Sequence, residues 1–391
     1  MQVSVLNLYF KQYCKLENLF MKEENIQVLK PFFRVEECLE EIRDCLDKSW
    51  TGMGYKTNIF EKKWCEFTNL PYAHFLNSAT AGLDLGIRIL KEENGWSAGD
   101  EIITSAFTFV STNHAILYHG LKPVFADIDD SLNLSPADVL KKITKKTKAV
   151  LFVGLAGNTK NLSEVRNICL KKGLKFILDA SHMAGSRIDN VHVGVDCDLS
   201  IFSFQAVKNL PTADSGMICF LDAGLDKKAR ELSWLGITRD TFSRSSEGSY
   251  KWDYDVNSVG MKYHGNSIIA SLGIVALKYL EEDNSYRRNL AMLYETYLGK
   301  KFQVIRHEPE SARHLFQIVL NNRESYISML ASKSIFTGVH YKKNTAYKVY
   351  EDVSLPKTDF YSDRVLSLPL HMNISEVQVM RICDILNSSE L

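Results

Sequence analysis

The chain has 391 residues with 47 basic and 47 acidic side chains, so its formal charge at pH 7 is zero. That balance gives no electrostatic case for nucleic acid or for an anionic membrane surface as a partner. Hydrophobic residues make up 45% and charged residues 24%, as in an ordinary globular protein, and the length exceeds what one core usually serves. Taken in chain order, residues 1–30 read as an N-terminal arm, residues 31–275 as a large α/β domain and residues 276–391 as a smaller α+β domain.

After the arm, residues 36–48 carry helical periodicity, with Cys38, Leu39, Ile42 and Leu46 on one face. A Gly-containing loop, SWTGMGYKT, precedes a second helix over 59–67. From Tyr72 the rhythm changes. Short apolar runs at 73–77, 101–105, 122–128, 149–155, 175–180, 199–204 and 216–221 read as seven strands. Amphipathic stretches at 80–93, 109–118, 136–144, 161–172 and 227–234 read as the helices between and after them. Alternation of this kind predicts a mostly parallel seven-stranded sheet covered on both faces, with the chemistry at the carboxyl ends of its strands. Residues 237–257 are polar, poorly periodic and too long for a simple connector. A helix at 266–281, a long helical stretch and a return to short strands and helices complete the chain.

Eight cysteines are scattered without a CxxC pair or a metal-like spacing to histidine. They fit a reducing compartment, so a cytoplasmic protein is expected. No run approaches the roughly 20 apolar residues that span a bilayer, and the N-terminus lacks the pattern of a signal peptide.

Three strand ends attract attention together. Asp179 directly follows the run KFIL. Lys208 lies four residues beyond the strand LSIFSF, in SFQAVKNL, where partial desolvation lowers an amine's pKa and makes it a better nucleophile. The turn NSATAGL (77–83) joins a strand to a helix, and its small residues free backbone N–H groups to hold a phosphate. Each feature has an ordinary reading alone, as a cap, a solvated lysine or an N-cap sequence. Together they make a site for pyridoxal 5'-phosphate. Lys208 would bind the aldehyde carbon, Asp179 would pair with the pyridine nitrogen, and the Ala79 and Thr80 amides with the Ser203 hydroxyl would hold the phosphate.

From about Ile26 onward the sequence resembles the DegT/DnrJ/EryC1/StrS family of pyridoxal phosphate-dependent nucleotide-sugar aminotransferases, which have fold type I. The resemblance rests on NSATAGL, GDEIITSAFTFVST, PVFADID, ILDASHMAG, FSFQAVKNL, GMKYHGNSI and SLPLH. It implies that Phe109 stacks on the cofactor ring and that His182 contacts its phenolic oxygen. It also implies Thr80 and Ser203 as phosphate ligands, and a homodimer in which Lys262 or His264 of the second subunit completes the phosphate site. The implied reaction moves an amino group from L-glutamate to a nucleotide-linked keto-sugar, in amino-sugar and surface-polysaccharide biosynthesis. The forms SFxAVK and DASHxAG look more like members acting at C-4 of a 4-keto-6-deoxy sugar. Arg239, Arg244 and His340 are the candidate substrate contacts. Three departures stand out: Gly154 or a neighbour in VGLAGN where the family often has His, Ser215 in ADSG where Gly is common, and HYKKNT (340–345) without the family's Pro and second His. The alternatives are a sugar dehydratase on the same scaffold, in which the lysine is replaced by His, and a non-catalytic sensor.

Overall fold

The computed structural model of the protein describes residues 25–238 and 254–391. Seven strands form one sheet: β1 (Tyr72–Leu76), β2 (Glu101–Ser105), β3 (Lys122–Ala126), β4 (Thr147–Val153), β5 (Lys175–Asp179), β6 (Leu199–Ser203) and β7 (Gly216–Phe220). Their spatial order is β1-β7-β6-β5-β4-β2-β3. Neighbours from β3 through β6 pair in parallel, and β7 runs antiparallel to both β6 and β1. The mostly parallel seven-stranded α/β sheet read from the sequence is therefore present, with each strand within two residues of its expected ends.

The strands read as unbroken apolar runs because both faces are covered. On one face Val150 and Phe152 of β4, Phe176 and Leu178 of β5 and Phe202 of β6 pack with Phe60 and Trp64 of the helix Tyr55–Thr68. On the other, Ala149, Leu151, Ile177 and Ile201 pack with Leu83 and Ile87 of the helix Ala79–Glu93 and with Ile116 of the helix Val110–Tyr118. The period-two alternation thus divides one strand between two cores.

The C-terminal part builds a second, three-stranded antiparallel sheet from β8 (Gln303–Val304), β9 (Phe316–Val319) and β10 (Val365–Leu368). It packs with the helices Leu280–Tyr297 and Glu376–Asn387 around Tyr294, Phe316, Ile318 and Ile382. Ile26 belongs to this core: it is 3% exposed and bridges Ile335. The expected helix at 266–281 ends at Lys278, and a new one starts at Leu280. The described cysteines are free thiols. No helix among the described residues is long and apolar enough to cross a membrane.

Parallel pairing brings the carboxyl ends of β2, β4, β5 and β6 to one edge. Strand β1 ends at the same edge, and the antiparallel β7 begins there, with Gly216 opposite both Leu76 and Ser203. Six strand ends therefore meet along that line.

Candidate active site

A cavity of about 410 Å³ opens at this edge. Its lining includes Ala79, Thr80, Phe109, Asp179, His182, Ser203, Lys208 and His340. Its volume falls in the range of small-molecule sites. Two expected residues are not part of it: Lys262 is exposed and His264 half-buried, on the segment that bridges Trp234 and Leu76. Arg239 and Arg244 lie outside the described residues.

Lys208 is placed by a tight loop. Its amide donates to the Gln205 carbonyl at 2.8 Å, and the Val207 amide donates to Gln205 Oε1 at 3.1 Å. The loop closes where the Thr212 amide and hydroxyl both reach the Phe204 carbonyl. Ser215, standing where the family has Gly, shares a hydrogen bond of 2.7 Å with Thr212 Oγ1, so its hydroxyl stitches the loop. Burial lowers the Lys208 pKa to about 8, with Asp179 pulling the other way. Lys208 Nζ has no hydrogen-bond or ion-pair partner among the described residues.

Asp179, 4% exposed, is held by neutral donors alone. Thr112 Oγ1 donates to Oδ2 at 2.8 Å, and Ser181 donates to Oδ1 from its hydroxyl at 2.6 Å and its amide at 3.1 Å. Each carboxylate oxygen keeps accepting capacity.

His182 receives the Ala156 amide on Nδ1 at 3.1 Å, which fixes the neutral ring with its proton on Nε2. Burial, with Lys208 and His340 adding to it, holds His182 well below the ordinary imidazole range. Nε2 meets the Tyr341 hydroxyl at 3.2 Å, so the ring presents a donor. Tyr341 stacks near His182 and stands 6.0 Å from Phe109, ring to ring. Phe109 is 57% exposed, an aromatic face left open over the cavity.

The helix Ala79–Glu93 starts at Ser78, whose side chain accepts from the Ala81 amide. The Ala79 and Thr80 amides precede the first internal helix bond and are left for an anion. Gly216 makes this packing possible: a Cβ there would lie 2.6 Å from the Ala79 nitrogen and 2.8 Å from the Phe202 oxygen.

Sequence reasoning missed Thr112, Ser181, His314 and Tyr341. Ser181 and Tyr341 sit inside motifs already singled out, DASHMAG and HYKKNT, so adjacency could have found them. Thr112 follows Phe109 by three residues, one helical turn. His314 carried no signal.

The three departures have structural reasons. The space beside Gly154 is taken by the Met183 sulfur, which a Cβ at that position would overlap. Ser215 closes the lysine loop. In the HYKKNT segment, Asn344 does the holding: its side chain accepts from Asn113 at 2.7 Å and donates to the Thr108 carbonyl at 2.8 Å, beside Phe109.

A half-buried amine facing the cavity, a buried carboxylate bonded by hydroxyls and an amide, an open aromatic face and a free helix N-terminus fit pyridoxal phosphate as a flat, phosphorylated aldehyde. With the sheet topology they define a pyridoxal phosphate enzyme of fold type I. The chain belongs to the DegT/DnrJ/EryC1/StrS aminotransferase family, whose model matches residues 34–387. It is 32% identical over 368 residues to an uncharacterized protein of Methanocaldococcus jannaschii, covering 89% of this chain and 93% of that one. The structure is similar to PseC of Helicobacter pylori, an aminotransferase involved in the biosynthesis of pseudoaminic acid, with a TM-score of 0.86, 26% identity and 93% and 98% of the two chains covered. It is also similar to the putative sugar aminotransferase Spr1654 of Streptococcus pneumoniae in its PMP form, with a TM-score of 0.84, 28% identity and coverage of 93% and 98%. The protein is a pyridoxal phosphate-dependent sugar aminotransferase.

Proposed function

We propose that the protein transfers the amino group of L-glutamate to C-4 of a nucleotide-linked 4-keto-6-deoxy sugar. The observation that carries the reading is Lys208: an amine with its pKa lowered to about 8, sharing one cavity with the buried carboxylate of Asp179. A lysine prepared in this way is a nucleophile and a proton carrier.

Pyridoxal phosphate supplies an aldehyde that takes up and releases an amino group, and a ring that accepts the electrons left when a proton departs. Asp179 would pair with the ring nitrogen, and its three neutral donors orient the carboxylate. His182 donates from Nε2 to the phenolic oxygen. The Ala79 and Thr80 amides and the Ser203 hydroxyl hold the phosphate, and Phe109 covers the ring. Lys208 Nζ would carry the proton from the α-carbon of the amino acid to the cofactor's aldehyde carbon and, on the return half, carry one from that carbon to the sugar carbon.

The phosphate seat is completed by the second subunit of a homodimer, through Lys262 or His264. Both residues lie away from the cavity of their own chain, which supports a role toward another copy. Arg239 and Arg244 are proposed contacts for the nucleotide diphosphate, and His340, which lines the cavity, for the sugar. The DASHxAG and SFxAVK forms support C-4. Lys208 speaks against a dehydratase, whose chemistry on this scaffold uses His at that position.

The test is a half-reaction screen. Treatment with L-glutamate should abolish the visible absorbance of the loaded enzyme, and one nucleotide 4-keto-sugar should restore it with an amino-sugar product. A product that has lost water without gaining nitrogen would establish the dehydratase. Absorbance indifferent to every amino donor would establish the sensor.

A further inference from the structure

Two buried imidazoles meet in the lining of the cavity. The His182 and His314 rings are 4.4 Å apart at an interplanar angle of 35°. Their tautomers are fixed in opposite senses. His182 accepts the Ala156 amide on Nδ1 and so carries its proton on Nε2. His314 Nδ1 faces Asn209 Oδ1 at 2.9 Å. The orientation of that amide is set from its other end: Asn209 Nδ2 donates to Asn284 Oδ1 at 2.7 Å and to the Ala312 carbonyl at 2.6 Å. Asn284 is set in turn by its own donation to the Ala184 carbonyl. Asn209 therefore offers an oxygen to His314, Nδ1 carries the proton, and Nε2 keeps its lone pair.

That lone pair has no partner among the described residues, although His314 is 2% exposed and lines the cavity. The Lys208 amine lines the same cavity with its N–H groups equally unpartnered. Lys208 is half-buried and both residues line the cavity, so the donor and the acceptor are each available to the other. The other titratable groups near His314 are His182, Arg287 and His340. None of them is bonded to the lone pair: Arg287 does not line the cavity, its Nη1 donates to the Leu370 carbonyl and its Nε has no hydrogen-bond partner, and His340 Nδ1 is bonded to Ser367 Oγ. Burial holds His314 well below the ordinary imidazole range, with His182 and Lys208 adding to it, so the lone pair persists at neutral pH.

We propose that His314 positions Lys208, its Nε2 accepting a hydrogen bond from the Lys208 amine whenever that amine is not bonded to the cofactor. The pair of imidazoles then divides the work: His182 gives a donor to the cofactor side and His314 an acceptor to the amine side. Held at one place, the amine need not search for its proton, and its charged form is stabilised while it carries one.

This inference rests on the aminotransferase reading only in taking Lys208 as the amine that the cofactor releases. The test uses full-length protein loaded with pyridoxamine phosphate, in which Lys208 is free. Cyanate reacts with neutral amines, so the pH dependence of Lys208 carbamylation, followed by peptide mass spectrometry, reads the titration midpoint of the amine. An acceptor stabilises the ammonium form. In His314→Phe, which keeps a ring and removes the lone pair, the midpoint should fall by about one pH unit, the tenfold worth of a hydrogen bond to a charged group. In His314→Gln, which restores an acceptor oxygen, it should return to within about 0.3 unit of the wild type. Should His314→Phe fail to fold, His314→Met makes the same comparison. A midpoint unchanged in His314→Phe, or lowered equally in His314→Gln, overturns the proposal. The readout needs no amino donor, so failure of the aminotransferase reading would appear separately, as a loaded enzyme whose absorbance no amino acid alters.

Discussion

Replacing Asp179 by Asn separates the charge of this residue from its shape. The carboxylate is 4% exposed and already bonded to Thr112 and Ser181. Asn occupies the same space, and both hydroxyls can turn to suit an amide, so the fold should persist. The variant loses the charge that pairs with the cofactor's ring nitrogen. A hydrogen bond between charged partners in such surroundings contributes about 1.5–3 kcal/mol, which corresponds to roughly a 10- to 150-fold weaker cofactor Kd. A second effect follows with a definite sign. Asp179 raises the Lys208 pKa against the effect of burial. Without that charge the amine should titrate below 8, so the pH at which the cofactor attaches most readily should move down. Both are read in one experiment, a titration of cofactor-free protein with pyridoxal phosphate at a series of pH values, followed by visible absorbance. An unchanged Kd together with an unchanged pH dependence would refute the pairing of Asp179 with both partners.

Other variants test the frame around that pair. Gly216→Ala forces a Cβ against the Ala79 nitrogen at 2.6 Å and should cost about 1–3 kcal/mol as overpacking; because the strain falls on the phosphate turn, cofactor affinity should drop at least roughly tenfold, whereas Gly52→Ala, with nothing within 4 Å, should bind as the wild type does. A calorimetric or absorbance titration that finds the two alike would contradict this account of Gly216. Glu61 lies away from the cavity and joins His74, the Phe75 amide and Arg230. Although burial pushes its pKa up, Arg230 and His74 pull it below the ordinary 4.5. A depressed folded-state pKa means stabilisation that is complete above 4.5 and lost as pH falls through the lower folded value. Glu61→Gln should therefore cost about 2 kcal/mol near pH 7, a figure reduced because Arg230 stays partly in water, and should flatten the acid limb of thermal unfolding. An acid limb identical to the wild type would show that Glu61 does not carry it.

Much of the fold was legible because its strands are buried on both faces. Such strands print continuous apolar runs, and all seven fell within two residues of the reading. The ends shifted for local reasons. Asn77 leaves β1 because its amide bonds to the Tyr263 carbonyl. The helix expected from 59 begins at Tyr55 because Thr57 Oγ1 and the Gly54 backbone cap each other. The site was legible where it follows a strand end, as for Asp179, Ser203 and Lys208. It was illegible where it depends on contacts across the chain. Thr112 reaches Asp179 over 67 residues and Tyr341 reaches His182 over 159, with no periodicity or spacing to join them. The departures from the family pattern look like losses in the sequence. In space they are exchanges, with Met183 filling the gap at Gly154 and Asn344 holding the segment that lost its Pro.

The central claim is that Lys208 is the residue to which the cofactor is bonded. Reduction of the pyridoxal phosphate-loaded protein with borohydride, followed by digestion and mass spectrometry, tests it most directly. A phosphopyridoxyl group on the peptide containing Lys208, absent from Lys208→Ala, is the predicted result. Labelling of a different lysine, or equal labelling in Lys208→Ala, would contradict the account.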